Sequence, residues 1–105
     1  METVLIDTFV VPQAAVEEFV RHARFSANRV KTRPGFVEGY VLRRPAGDDG
    51  QVNVVTTAVW ESQAAMEEAR QSIAAEFARI GFNPPEIMQR LGVRIERGIY
   101  HRAPY

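Results

Sequence analysis

The sequence predicts an α+β domain in the order β-α-β-β-α-β, with a four-stranded antiparallel sheet and an extra short helix before the last strand. Three observations predict it. Four short runs are rich in Val, Ile, Thr and aromatic residues, as strands are. Two longer runs repeat apolar residues every three or four positions, the period of a helix with one buried face. The one turn-rich cluster lies between the second and third strand-like runs and makes that pair a hairpin.

The first strand covers Val4 to Val11. Val4, Ile6 and Val10 line one side; Leu5, Phe9 and Val11 line the other, with Asp7 among them. Pro12 is expected to stop the ladder and start a helix, in which Val16, Phe19, Val20, Ala23, Ala27 and Val30 form a single stripe. Pro34-Gly35 ends it, and the second strand runs from Phe36 to Arg43. Pro45-Ala46-Gly47-Asp48-Asp49-Gly50 is the hairpin loop. The third strand is Val52 to Trp60, and Ser62 is placed to N-cap the next helix. Met66, Ala69, Ile73, Phe77 and Ile80 form that helix's stripe, and Gly81 stops it. Asn83-Pro84-Pro85 caps a short helix carrying Ile87, Met88 and Leu91, closed by Gly92. The last strand, Val93 to His101, alternates Val93, Ile95 and Ile99 with Arg94, Glu96 and Tyr100. This order is the ferredoxin-like arrangement, expected as a single domain over residues 1–105.

With both helices on one face of the sheet, the other face is bare. In the first and third strands it cannot be polar, because Val4, Ile6, Val10, Val55 and Val59 occupy it while the opposite phase is also apolar. An exposed patch of that kind is normally an association surface, and a second copy laid sheet to sheet covers it, so a C2 homodimer is expected.

Composition narrows the function classes. The 13 basic and 13 acidic side chains cancel without concentrating into a basic face, so nucleic acid is not an expected partner. No cysteine is present, which excludes disulfides, thiolate metal sites and cysteine nucleophiles. The start, Met1-Glu2-Thr3-Val4, lacks a signal pattern, and no apolar run approaches about 18 residues. A cytoplasmic protein with no membrane partner is expected.

Asp7 is the residue that most needs an explanation. A carboxylate is out of place in an apolar strand, and an unpaired one taken out of water costs several kcal/mol or stays protonated. A polar group at the wall of a ligand pocket would be tolerated there. Trp60, ending the third strand with Thr56 and Ala58 on its own face, supplies a large flat wall. Arg70 falls at the edge of the second helix stripe, between Met66 and Ile73, where it can lean toward the sheet across from Asp7. A plain Asp7–Arg70 ion pair would satisfy both charges without any function. Phe25 points away from its helix stripe, toward the dimer contact, the pocket rim or solvent. His22 follows Glu18 at a metal-compatible spacing, but with two histidines in the chain no metal site is expected. Gly-rich phosphate loops and nucleophile elbows are absent.

Leu5-Ile6-Asp7-Thr8-Phe9-Val10-Val11-Pro12, the Pro34-Gly35-Phe36 start of the second strand, and Val59-Trp60-Glu61-Ser62 before a helix together resemble the antibiotic biosynthesis monooxygenase domain. The resemblance runs from the first strand through the second helix and implies a dimeric α+β barrel with a pocket between sheet and helices. Several members oxidise electron-rich quinols or anthrones with O2 and neither metal nor flavin; another branch degrades haem. Such members often carry Asn where this chain has Asp7, and a pocket tryptophan where it has Trp60. The haem-degrading branch places a histidine ligand near the position of Arg70, and arginine cannot ligate iron, which sets that activity aside. Quinol oxidisers often have Asn where Thr56 stands.

The expected function is therefore a monooxygenase that needs no cofactor, acting on a small aromatic or quinol-like metabolite. Asp7 would be the base, its proton affinity raised by burial, unless Arg70 holds it ionised. Trp60 and Arg70 complete the catalytic set, Arg70 or Thr56 steadying the substrate anion. Phe9, Phe36, Thr56, Met66 and Ile73 would contact substrate, and the helix at Pro84–Leu91 would serve as a lid. The competing reading is a non-catalytic dimer that binds a hydrophobic metabolite in the same pocket.

Overall fold

The computed structural model describes residues 1–45 and 47–105; of the expected hairpin loop, Ala46 lies outside the described residues. Four strands, β1 (Thr3–Pro12), β2 (Phe36–Arg43), β3 (Gln51–Trp60) and β4 (Arg94–Tyr100), form one antiparallel sheet in the order β2-β3-β1-β4. Three helices, α1 (Val16–Val30), α2 (Gln63–Ile80) and α3 (Pro84–Leu91), complete an α+β, ferredoxin-like fold.

The helix ends follow the local chemistry. Ser62 Oγ accepts from the Ala65 N–H at 3.1 Å and Asn83 Oδ1 accepts from the Glu86 N–H at 3.1 Å, so both expected N-caps form. Gly81 and Gly92 close their helices with φ of 75° and 72°. Two expectations shift. Pro12 does not stop the ladder but stays in register opposite Gln51, and a 3-10 turn at Gln13–Ala15 precedes α1. A proline lacking its N–H is tolerated at a strand end, and the next donor, Gln13 N–H, finds the Gly50 carbonyl at 2.9 Å. Likewise α1 ends at Val30, short of Pro34, because the residue before a proline is steered out of the helical region. Gly35 then turns the chain at φ +86°, where a Cβ would meet the Ala65 Cβ at 2.6 Å.

Strand register decides what lies under the helices. Leu5, Asp7, Phe9 and Val11 pair with Ala58, Thr56, Val54 and Val52, and these side chains face α1 and α2. The core beneath them is split in two. One cluster joins Phe9, Val11, Val16, Phe19, Val52 and Val54, with Met88 and Leu91 of α3 against it; the other joins Trp60, Met66 and Ala69, with Leu5, Val30 and Phe36 around it. The opposite sheet face is open: Tyr40, Leu42 and Tyr100 are exposed on it, and Val4, Ile6 and Val55 are half-buried without a helix over them.

Candidate functional site

Between the two core clusters the sheet carries a row of side chains paired across all four strands, Val41–Thr56–Asp7–Arg97. The rows on either side are mostly apolar, Gly39–Ala58–Leu5–Ile99 and Val54–Phe9–Ile95. This polar row is the floor of a cleft of about 1160 Å³. Ala23, Ala27 and Val30 of α1 form one wall, and Ile73 and Phe77 of α2 another. Pro84, Ile87 and Met88 of α3 face the same space. The volume exceeds that of most single-ligand clefts and accommodates a multi-ring molecule.

One end of the cleft is closed by aromatic rings. Trp60 is 2% exposed and meets Phe36 edge-on, with ring centroids 5.5 Å apart. Phe36 can lie there because Gly39 leaves room: a Cβ on Gly39 would sit 3.2 Å from the Phe36 Cζ and 2.3 Å from the Thr57 carbonyl oxygen. The Trp60 N–H is buried and has no acceptor among the described residues.

Of the residues singled out from sequence, Asp7, Phe9, Phe36, Thr56, Trp60, Arg70 and Ile73 all border the cleft. Met66 does not; it is fully buried in the cluster with Trp60 and Ala69 and backs the wall from behind. The expected Asp7–Arg70 juxtaposition is also corrected. Arg70 is an exposed residue whose guanidinium donates to Glu67 at 3.2 Å, one turn away on its own helix. Asp7 is 8% exposed and is held by Arg97: Nε donates to Oδ1 at 2.7 Å and Nη2 donates to Oδ2 at 2.9 Å. The carboxylate beside it holds the Arg97 guanidinium more firmly protonated than usual, against the opposing effect of partial burial.

Arg97 is the functional candidate that sequence reasoning missed. A signal for it existed. Arg97 stands in the apolar phase of its strand, between Ile95 and Ile99, as Asp7 stands between Leu5 and Phe9. Two opposite charges misplaced in the same phase of two strands invite pairing, and the order of a ferredoxin-like sheet makes those strands neighbours.

Other expectations find their place away from the floor. Phe25 is half-buried on the helix side; its ring is 4.6 Å from that of Phe82, which borders the cleft, and stacks under Arg29 at 3.7 Å. His22 contacts Glu18 at 3.2 Å, and Glu18 also accepts from Arg90 of α3 at 2.5 Å, which ties α3 to α1. Arg90, with His22 helping, holds the Glu18 carboxyl down to about 2. No cluster of three or more potential metal ligands occurs among the described residues. Among those residues no helix is long and apolar enough to cross a membrane.

Known proteins share this fold. SnoaB, a cofactor-independent oxygenase from Streptomyces nogalater, is 25% identical with a TM-score of 0.68, covering 99% of this chain and 95% of its own. A Bacillus cereus protein described as a candidate antibiotic biosynthesis monooxygenase is 21% identical with a TM-score of 0.65, over 100% of this chain and 98% of its own. A dimeric ferredoxin-like protein from an uncultured marine organism is 15% identical with a TM-score of 0.66, over 95% and 94% of the two chains. No functionally curated protein matches in sequence. The family model for antibiotic biosynthesis monooxygenases matches residues 3–79, from the first residue of β1 to the end of α2 and so through most of the cleft, and the chain belongs to that family.

Proposed function

We propose that this chain is a cofactor-independent monooxygenase acting on a small aromatic, quinol-like metabolite with O2. The observation that supports it best is the cleft itself, where apolar walls from Phe36, Trp60 and Ile73 surround one polar row, in a member of this family. A likeness to an oxygenase that works without a cofactor points the same way.

O2 is a triplet and reacts slowly with closed-shell molecules, so the substrate must first become electron-rich. Loss of a proton from a quinol or an anthrone-type carbon acid does that. The anion gives one electron to O2, the superoxide formed joins the substrate radical, and the resulting peroxide loses water. A methylene carbon thereby becomes a carbonyl, one oxygen atom enters the product and the other leaves as water. Four electrons leave the substrate and O2 takes all four, so no outside reductant is needed. In this reading Thr56 and the Asp7–Arg97 pair supply the polar contacts, while Trp60, Phe9, Phe36 and Ile73 hold the ring and exclude water. The working unit is a homodimer joined through the open sheet face.

A second reading, a binding protein without catalysis, is favoured by one observation: both oxygens of Asp7 are already occupied by Arg97. The two are separated by oxygen uptake. Purified, metal-stripped protein incubated with hydroquinones and anthrones is expected to accelerate O2 consumption in step with product. Stoichiometric retention of these compounds with no uptake above the blank would assign the binding role instead.

A further inference from the structure

We propose that Arg97 is the anion-binding residue of the cleft and Asp7 its positioning partner, so that the site selects aromatic molecules with an ionisable hydroxyl and holds them as the oxyanion. The inference deepens the oxygenase reading and rests on it for the claim that the bound molecule goes on to react.

The two halves of the pair are buried unequally. The Asp7 side chain is 11% exposed, whereas that of Arg97 is 46% exposed and borders the cleft. Asp7 occupies one edge of the guanidinium, the Nε–H and one Nη2–H. Both Nη1–H groups and the second Nη2–H are left, and no acceptor among the described residues takes them. The pair thus turns its carboxylate inward and its donors outward. A pair made only to neutralise a buried charge has no need of that asymmetry.

The surroundings fit a ring. Ile95 and Ile99, at 42% and 43% exposure, flank Arg97 on the same face of β4, and Leu5 and Phe9 lie opposite them on β1. An aromatic body resting on these side chains brings a ring hydroxyl to the guanidinium, whose planar fork suits an oxygen anion. Of the other ionisable groups bordering the cleft, Arg70 pairs with Glu67 and His22 with Glu18, while Lys31 at the end of α1, Tyr40 on β2 and Glu86 on α3 stand on other elements than the floor row. Asp7 is the charged neighbour that acts on Arg97. Because the pair is neutral overall, it suits a singly charged, delocalised phenolate better than a compact dianion. The phenol O–H ionises, its proton passes to water in the open cleft, and the electron pair left on oxygen accepts from Arg97. Asp7 is then not the base; it aims and steadies the arginine. Arg97 lies beyond residues 3–79, the part of the chain that the family model matches.

The test uses 4-nitro-1-naphthol, whose anion is coloured, and its neutral isostere 1-methoxy-4-nitronaphthalene, with quenching of the single tryptophan as the binding readout. On the full-length wild type the bound dye is expected to titrate about one pH unit lower than in water, tenfold in acid strength. Arg97→Gln removes that shift and weakens anion binding about tenfold while leaving the neutral isostere within about twofold. Arg97→Lys keeps part of the shift. Asp7→Asn, which removes the compensating charge, deepens it. The double variant Asp7→Asn/Arg97→Gln leaves no buried unpaired carboxylate and must match Arg97→Gln in the dye titration, so a folding defect of the single variant does not decide the result. An undiminished shift in both arginine-to-glutamine variants, or a wild type that does not bind the dye, overturns the proposal. Oxygen uptake that persists without any Arg97-dependent shift removes this inference and keeps the oxygenase reading. An Arg97-dependent shift with no oxygen uptake does the reverse.

Discussion

Asp7 shows how much a single residue can disclose. Its presence in an apolar strand marked the floor of the cleft from sequence, because an ionised group in that phase has to be satisfied by something. Its partner was not identified. Helical spacing offered Arg70, but a side chain at the edge of an amphipathic stripe has water as an easy alternative, and Arg70 takes it with Glu67 beside it. Arg97 is delivered by cross-strand register, which depends on strand order and is not local in sequence. The unequal burial of the pair has a measurable result. Removing Arg97 strands a carboxylate that is 11% exposed, whereas removing the charge of Asp7 leaves an arginine that is already half in water. In urea unfolding at neutral pH, Arg97→Gln is expected to cost about 1–3 kcal/mol, and clearly more than Asp7→Asn. Equal losses would mean that the cleft solvates Asp7 better than its burial indicates.

Among the elements, α3 is tied to α1 by charge as well as by apolar contact. Met88 and Leu91 give it modest apolar contact with the first core cluster, and Arg90 reaches Glu18 on α1. Glu18 is a carboxyl whose folded-state value, about 2, lies below its ordinary 4.5. Its contribution is therefore fully present above the ordinary value and is lost as pH falls through about 2. Amide-exchange protection of α3, relative to α1, is expected to fall between about pH 5 and about pH 2 in the wild type. Glu18→Gln should show the lower protection already at neutral pH; if α3 is equally protected there, the ion pair is not what fastens it. Element identities were legible from the chain because their signals are local: the Ser62 and Asn83 caps, the Gly81 and Gly92 stops and the α1 stripe form as read, whereas Ile80, expected to close the α2 stripe, is 42% exposed in the last turn of its helix. The boundaries around prolines were less so. Pro12 and Pro34 forbid certain states but do not dictate which neighbour ends an element. Phe25 packs on Phe82, which borders the cleft but sits past the end of α2, where no periodicity points.

For the whole molecule, the open sheet face and the cleft lie on opposite sides of one four-stranded layer. Leu42 is 51% exposed on the open face, in line with Val55 and Thr8. A homodimer through that face predicts that Leu42→Glu yields monomers by sedimentation while the isolated fold persists by circular dichroism, because the change touches no helix and no cleft residue. A wild type that sediments as a monomer at the same concentrations would leave the face without its proposed cover. The two charges on the cleft floor come from opposite ends of the chain, 90 residues apart. Asp7 is thus translated 90 residues ahead of its partner. A chain cut before β4 would therefore hold that carboxylate without the arginine that satisfies it.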